Sequence, residues 1–230
     1  MPTPRILLSW SSGKDSAWAL QVLRRDPSVE VVALLTTLNQ AHGRVAMHAV
    51  RERLLDLQAE AAGLPLWKVP LPWPCPDGAY EGLMAGVLER CRTEGIRAVA
   101  YGDLFLEDVR AYREARHAGT GIGTRFPLWG RPTFDLAREM VAGGLKAVLT
   151  CVDPRQLGGA FAGRDFDEAL LADLPPSADP CGERGEFHTF AWDGPMFRHP
   201  VPVARGPVVE RDGFVFADLT PEGEPASQGA

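Results

Sequence analysis

Six consecutive residues, Ser11-Ser12-Gly13-Lys14-Asp15-Ser16, gather a cation, a carboxylate and three hydroxyls on one turn. Gly13 lets the backbone approach a ligand with no Cβ in the way. The apolar run Ile6-Leu7-Leu8 precedes the turn and a helix-patterned stretch follows it, so the amides opening that helix add partial positive charge. Strand, turn and helix in this order make a phosphate cradle. It is not the Walker loop, which needs Gly where Leu8 stands and Ser or Thr where Asp15 stands. A second chemistry-bearing stretch lies far downstream, where Glu183, Glu186 and His188 occur among glycines. Period-two alternation places Glu186 and His188 on one face of a β run. Two carboxylates and an imidazole can hold a divalent ion, orient ammonia or move a proton.

The first stretch resembles the PP-loop, Ser-Gly-Gly-Lys-Asp-Ser, of enzymes that split ATP between its α and β phosphates; Ser12 stands in place of the usual first Gly. Together with Asp179-Pro180-Cys181-Gly182-Glu183-Arg184-Gly185-Glu186-Phe187-His188-Thr189-Phe190, it resembles the diphthine ammonia ligase family of adenine nucleotide α-hydrolase-like enzymes. Also similar are His48, Gly102, Pro127, Trp129 and the segment 157–164. Arg184 stands where the family often has Gly, and His188 where its eukaryotic and archaeal members have Glu.

The resemblance implies an ATP-dependent, AMP-forming amide ligase that adenylates a carboxylate and transfers ammonia to it. Ser11, Ser12, Gly13, Lys14, Asp15 and Ser16 would hold the phosphates, with His48, Gly102 and Asp103 near the nucleotide and Leu35 and Thr36 against adenine. Asp15 and Asp103 are the expected Mg²⁺ ligands. Lys14, Asp15, Glu183, Glu186 and His188 are the expected catalytic set. The partners implied are ATP, free ammonium and a carboxylate acceptor, small or borne on a protein.

These residues need a scaffold that brings residue 14 to residue 188. Strands are expected at 5–9, 29–37, 66–69, 97–101 and 146–152, alternating with helices at 14–25, 47–62, 80–94, 108–118 and 134–143. Gly63 closes the second helix and Gly95 the third, whose apolar face is Tyr80, Leu83, Met84, Val87, Leu88 and Cys91. This alternation predicts an α/β fold with a doubly wound, mainly parallel sheet, whose ligands bind beyond the carboxyl ends of the strands. Residues 119–123 read as a flexible connection. A helix at 166–174 and short β runs at 186–192, 201–204 and 214–217 predict a smaller α+β unit. The division expected is 1–128 for ATP, 129–219 for the acceptor, and a disordered tail over 220–230.

A chain of 230 residues with 45% apolar content can bury a substantial core. Its net charge of −6 argues against a broad nucleic-acid footprint. No apolar run is long enough to span a bilayer, and the N-terminus lacks a signal-peptide core, so a cytoplasmic protein is expected. Cys75, Cys91, Cys151 and Cys181 lack metal or redox spacing and read as reduced thiols. His42, His117 and His199 are expected at the surface. Two other readings stand beside the ligase. One is a tRNA-thiolating enzyme, for which Cys151 or Cys181 would carry a persulfide; the other is a module that senses ATP or AMP without turnover. The sequence leaves a homodimer open.

Overall fold

The first strand, β1 (Arg5–Ser9), has Ile6, Leu7 and Leu8 wholly inaccessible to solvent, as an unbroken apolar run requires when both faces are covered. Alternation divides them: Ile6 and Leu8 enter one core cluster and Leu7 the other. The computed structural model describes residues 2–40, 44–45 and 50–223. After β1 come α1 (Lys14–Arg25), β2 (Glu30–Asn39), β3 (Arg44–Val45), α2 (Glu52–Ala62), β4 (Leu66–Leu71), α3 (Asp77–Thr93), β5 (Ile96–Ala100), α4 (Glu107–His117) and β6 (Gly123–Arg125). β1 pairs in parallel with β2 and β5, β2 with β4, and β5 with β6, while β3 adds a short antiparallel pairing to β2. α1 and α2 cover one face of the sheet and α3 the other, which is the doubly wound arrangement. Chain order reverses at β1, so the crevice lies beyond Ser9 and Ala100.

A second sheet follows. α5 (Thr133–Ala142), β7 (Lys146–Val152), α6 (Glu168–Asp173), β8 (Phe187–Asp193), β9 (Val203–Arg211) and β10 (Phe214–Pro221) build it in the order β8-β7-β10-β9, antiparallel throughout. Its apolar face, with Leu149, Phe190 and Leu219, joins the same cluster as α1 and α2. Polar ties reinforce this docking. Arg24 donates to both Ala62 O and Met196 O, and the Arg198 amide donates to Ala61 O at 2.7 Å. No helix among the described residues is long and apolar enough to cross a membrane.

Several boundaries differ from expectation for physical reasons. Of the connection read over 119–123, Gly123 instead opens the edge strand β6, too short and polar to show alternation. β9 reaches Arg211 because pairing with β10 carries it across Gly206 and Pro207, where the register shifts opposite Asp218; Pro is tolerated in such an edge strand. β10 takes in Thr220, 6% exposed, and Pro221, so the expected tail begins too early. Residues 224–230 lie outside the described residues. Leu83 is 36% exposed and leaves α3 buried through Val87, Leu88 and Cys91.

The closure of α5 against α1 makes a sharp test. A Cβ built on Gly143 would lie 2.4 Å from the Trp18 ring and 2.8 Å from Glu139 O, and Trp18 is 1% exposed with its indole N–H on Glu139 Oε1. Gly143→Ala should therefore cost about 1–3 kcal/mol by overpacking, read as a drop of several degrees in Tm by calorimetry. An unchanged Tm would mean that α5 and Trp18 can separate freely.

Candidate active site

The turn between β1 and α1 is held from behind by one carboxamide. Gln58, wholly buried on α2, donates from Nε2 to Ser12 O (3.0 Å) and Ala191 O (2.6 Å), while its Oε1 accepts from Trp10 Nε1 (2.9 Å). The Ala191 amide also donates to Ser12 O at 2.9 Å. This network over-determines Ser12, which sits at φ 73°, the left-handed region that L-residues enter at a cost of roughly 1–2 kcal/mol. Its hydroxyl is buried without a partner and lines neither cavity described below. The expectation that the Ser12 hydroxyl would face phosphate is thus corrected: the inverted backbone turns it inward. Ser11 and Ser16 do face the cleft, their hydroxyls 3.2 Å apart, with Ser16 Oγ donating to Gly13 O. The Lys14 amide already donates to Thr189 Oγ1 at 3.0 Å.

Lys14 is only 2% exposed. Its ammonium donates to Asp15 Oδ2 (2.9 Å) and to Cys181 O, and lies over the rings of Phe166 and Phe187. Burial works against its charge, but Asp15, with Cys181 and Glu183 behind it, holds its pKa above the usual lysine value. Asp15 Oδ1 is buried with no partner.

Two adjoining cavities open at the carboxyl ends of β1, β2 and β5. The first, about 290 Å³, is lined by Leu35, Thr36, Tyr80, Met84, Tyr101 and Tyr112 among others, and so is largely aromatic and aliphatic. The second, about 560 Å³, has Lys14, Asp15, Ser16, Gly102 and Asp103 on one side and Glu183, Arg184, His188 and Arg155 on the other. Ser9, Ser11, Tyr101 and Arg113 border both. Gly102 is needed where β5 ends: a Cβ there would lie 3.1 Å from Asp15 C and Ser16 N.

Tyr101 and His117 form the floor of the first cavity. His117 Nδ1 is 3.0 Å from Ile122 O, which can only accept, so neutral His117 donates from Nδ1 and accepts a hydrogen bond from the Tyr101 hydroxyl at Nε2, 2.9 Å away. Burial keeps the His117 pKa down and the Tyr101 pKa up. His117, expected at the surface, is 7% exposed; its polar surroundings in the sequence hide its inward placement. His199 is exposed, and His42 and His48 lie outside the described residues.

The downstream motif reaches this cleft through Glu183, His188 and Thr189. Glu183 Oε1 accepts from the Leu104 amide at 2.8 Å. Burial, helped by the charges of Asp15 and Asp103, pushes its pKa up to about 7 against the pull of that amide. Burial and the Lys14 charge lower His188 to about 4. Glu186 behaves differently. It precedes β8 and is 1% exposed, its oxygens accepting from the amides of Asp179 (2.7 Å) and Arg184 (3.0 Å). The expectation that Glu186 shares a cleft-facing side with His188 is corrected: its carboxylate is turned into the 179–186 loop, which it holds together.

Asp103 lines the larger cavity, but Arg113 engages both its oxygens, at 2.5 and 3.1 Å, and lies over Tyr101, so a guanidinium already balances its charge. Among the described residues no group of three or more His, Cys, Asp or Glu is disposed to bind one. Asp15 does fit, through its orphaned oxygen. Arg113, Gln58 and Trp10 were missed from sequence. The available signals were a glutamine four residues after Leu54 on an apolar helical face, and the neighbouring Tyr112, Arg113, Arg116 and His117 on α4.

Residues 4–118 match the diphthamide synthase N-terminal domain, and residues 132–214 match the diphthamide synthase C-terminal domain. Over 94% of this chain and 88% of each relative, the chain is 26% identical to the diphthine–ammonia ligase of Mus musculus, 27% to that of Rattus norvegicus and 25% to that of Homo sapiens.

The carboxamide knot behind the turn is testable without any substrate. Gln58→Leu would leave the Trp10 N–H buried without its acceptor and reduce Ser12 O to the Ala191 amide alone, and should cost about 2 kcal/mol or more. Ser12→Gly relieves the left-handed backbone and should leave the urea midpoint unchanged or raised. A Gln58→Leu protein with the wild-type midpoint would remove the knot from the account.

Proposed function

This chain belongs to the diphthamide synthase family, and on that premise we propose that it is an ATP-dependent, AMP-forming amide ligase. The observation that carries this reading is that Lys14, Asp15 and Ser16 line the same cavity as Glu183 and His188, although about 170 residues separate them. Residues 1–128 supply the nucleotide side and 129–219 the acceptor side.

Adenine occupies the smaller cavity against Leu35 and Thr36, between the sheet and the aromatic groups of α3 and α4. The phosphates extend past Ser11 into the larger one, where Lys14, the Ser11 and Ser16 hydroxyls and nearby amides stabilise charge on departing pyrophosphate. Asp15 Oδ1 would hold Mg²⁺, which neutralises part of the polyphosphate charge when bound. A substrate carboxylate attacks the α-phosphorus, giving an acyl adenylate and pyrophosphate. Ammonia then displaces AMP and forms the amide, and a proton must leave the nitrogen. A base works best with a pKa near the working pH. Glu183, at about 7, suits this role better than His188, at about 4, so His188 serves as a neutral hydrogen-bonding wall and Glu186 as a positioning residue.

The thiolation reading loses support from the thiols. Cys151 and Cys181 are 2% and 1% exposed, burial raises the pKa of both, and the Cys181 thiol donates to Thr133 O at 3.4 Å; a persulfide carrier needs an accessible, ionisable sulfur.

Chromatography of the products from labelled ATP tests the reaction class: AMP and pyrophosphate are expected, and ADP as the main product would overturn it. The second prediction concerns Glu183. Ionisation near its pKa of about 7 should raise single-turnover AMP release as pH increases through neutrality, and Glu183→Gln should flatten that limb. Because this pKa is raised over the ordinary 4.5, the fold holds the proton more tightly than the unfolded chain, and stability falls as pH rises between those values. Glu183→Gln should lack that loss in urea titrations. An identical pH–rate profile in the variant would remove Glu183 as the base.

A further inference from the structure

The buried hydroxyls of the smaller cavity all donate into the protein and turn only lone pairs toward a ligand. Tyr101 borders both cavities, but His117, which its hydroxyl meets at 2.9 Å, lines only the smaller one. The phenol oxygen therefore lies at the smaller cavity. Both residues are buried, at 5% and 7% exposed, so protein partners rather than bulk water set the directions of their hydrogen bonds.

Three groups in a row fix that direction. Ile122 O accepts only, which places the His117 proton on Nδ1 and leaves Nε2 an acceptor. Burial lowers the His117 pKa and keeps the ring neutral. The Tyr101 hydroxyl then gives its single proton to Nε2, and its oxygen can only accept from anything else. Thr36 lies across β1 from Tyr101, on β2, so the wall between them spans two strand spacings, about 10 Å. It is polarised in the same way: 2% exposed, it donates from Oγ1 to Trp10 O at 2.7 Å. The other hydroxyl-bearing residues of this lining are half-buried or exposed. Its nitrogen donors have acceptors of their own, Trp10 on Gln58, Arg113 on Asp103 and Arg116 on Glu81.

Such a wall suits a base that brings its own N–H groups. Adenine carries an amino donor at position 6, where hypoxanthine and guanine carry an acceptor oxygen. A keto oxygen there would set lone pairs against lone pairs with no proton between them. Resting on the nucleotide half of the ligase reading, we propose that Tyr101 selects a 6-aminopurine over a 6-ketopurine by accepting a hydrogen bond from its amino group, and that His117 is a positioning residue that locks Tyr101 as an acceptor. Neither takes part in making or breaking a bond.

The test is calorimetric titration of the full chain with ATP and with ITP, in Mg²⁺ and without an acceptor. ITP carries oxygen in place of the 6-amino group. The wild type should prefer ATP about ten- to a hundredfold. His117→Leu frees the Tyr101 proton, which can then turn to a keto oxygen, so ITP should bind more tightly than it does to the wild type. A merely structural loss would weaken both nucleotides and would not improve ITP. Tyr101→Phe keeps the ring against Phe126 and Arg113 but removes the acceptor. It should weaken ATP with little effect on ITP, and it carries the test if His117→Leu does not fold. Equal binding of ATP and ITP by the wild type, an unchanged ATP-to-ITP ratio in Tyr101→Phe, or no gain in ITP affinity in a folded His117→Leu protein would each overturn the assignment and leave the nucleotide site standing. Failure of ATP itself to bind would instead overturn the ligase reading, and the assignment with it.

Discussion

A full positive charge with almost no access to water sets the geometry of the cleft. An unpaired ammonium at the position of Lys14, 2% exposed, would cost several kcal/mol. It is compensated by Asp15, the Cys181 carbonyl and the faces of Phe166 and Phe187. The carbonyl can serve only if the 179–186 loop is fixed. Asp179 Oδ1 accepts from the Cys181 amide and Oδ2 from Thr133, and Glu186 accepts from the Asp179 amide. The second motif is thus partly a counter-structure for the first motif's lysine, and Glu183 reaches the cleft because that loop has been closed in this way.

Elements bounded by strong local signals were legible in the sequence. β1, its turn and α1 have a continuous apolar run, a glycine and a helical face that leave little choice, and the left-handed Gly63 closes α2 as its position implies. What escaped was structure specified by a neighbour. β6 exists because β5 offers an edge, and much of β9 exists because β10 pairs with it; neither carries enough apolar alternation to announce itself. Tertiary pairing there overrides a weak local preference.

The site divides along the same line. Lys14, Asp15, Ser16 and Glu183, which line one cavity, stood out in the sequence because charge at a glycine-rich turn is chemically suggestive and because both stretches resemble a family's motifs. Glu186 and Glu183 are indistinguishable by composition, however, and only the direction of the loop amides sends one into the protein and the other into the cleft. Gln58 illustrates the converse: an ordinary polar residue in the sequence becomes the anchor of Ser12 because Trp10, β8 and α2 converge on it. Asp103 likewise looked available until α4 folded back and brought Arg113 to it.

Magnitudes indicate where such a cleft can open. Parting the two sheets would expose Phe190, Leu149, Met196 and Leu219, all under 5% exposed, together with their partners on α1 and α2. Each large apolar side chain returned to water costs about 1.5–3 kcal/mol. Displacing the 179–186 loop instead exposes one small core side chain, Cys181, and breaks a few hydrogen bonds, each worth a net 0.5–1.5 kcal/mol, roughly, around the left-handed Gly182 and Gly185. The Lys14 contact to Cys181 O is the costly one among them, since it leaves a buried charge short of a partner. An incoming phosphate oxygen is a better partner than a carbonyl, because charge-assisted hydrogen bonds are roughly twice as strong as neutral ones. The contact that secures the loop is therefore the one that an anionic oxygen is best able to replace, so local loop movement is favoured over separation of the sheets.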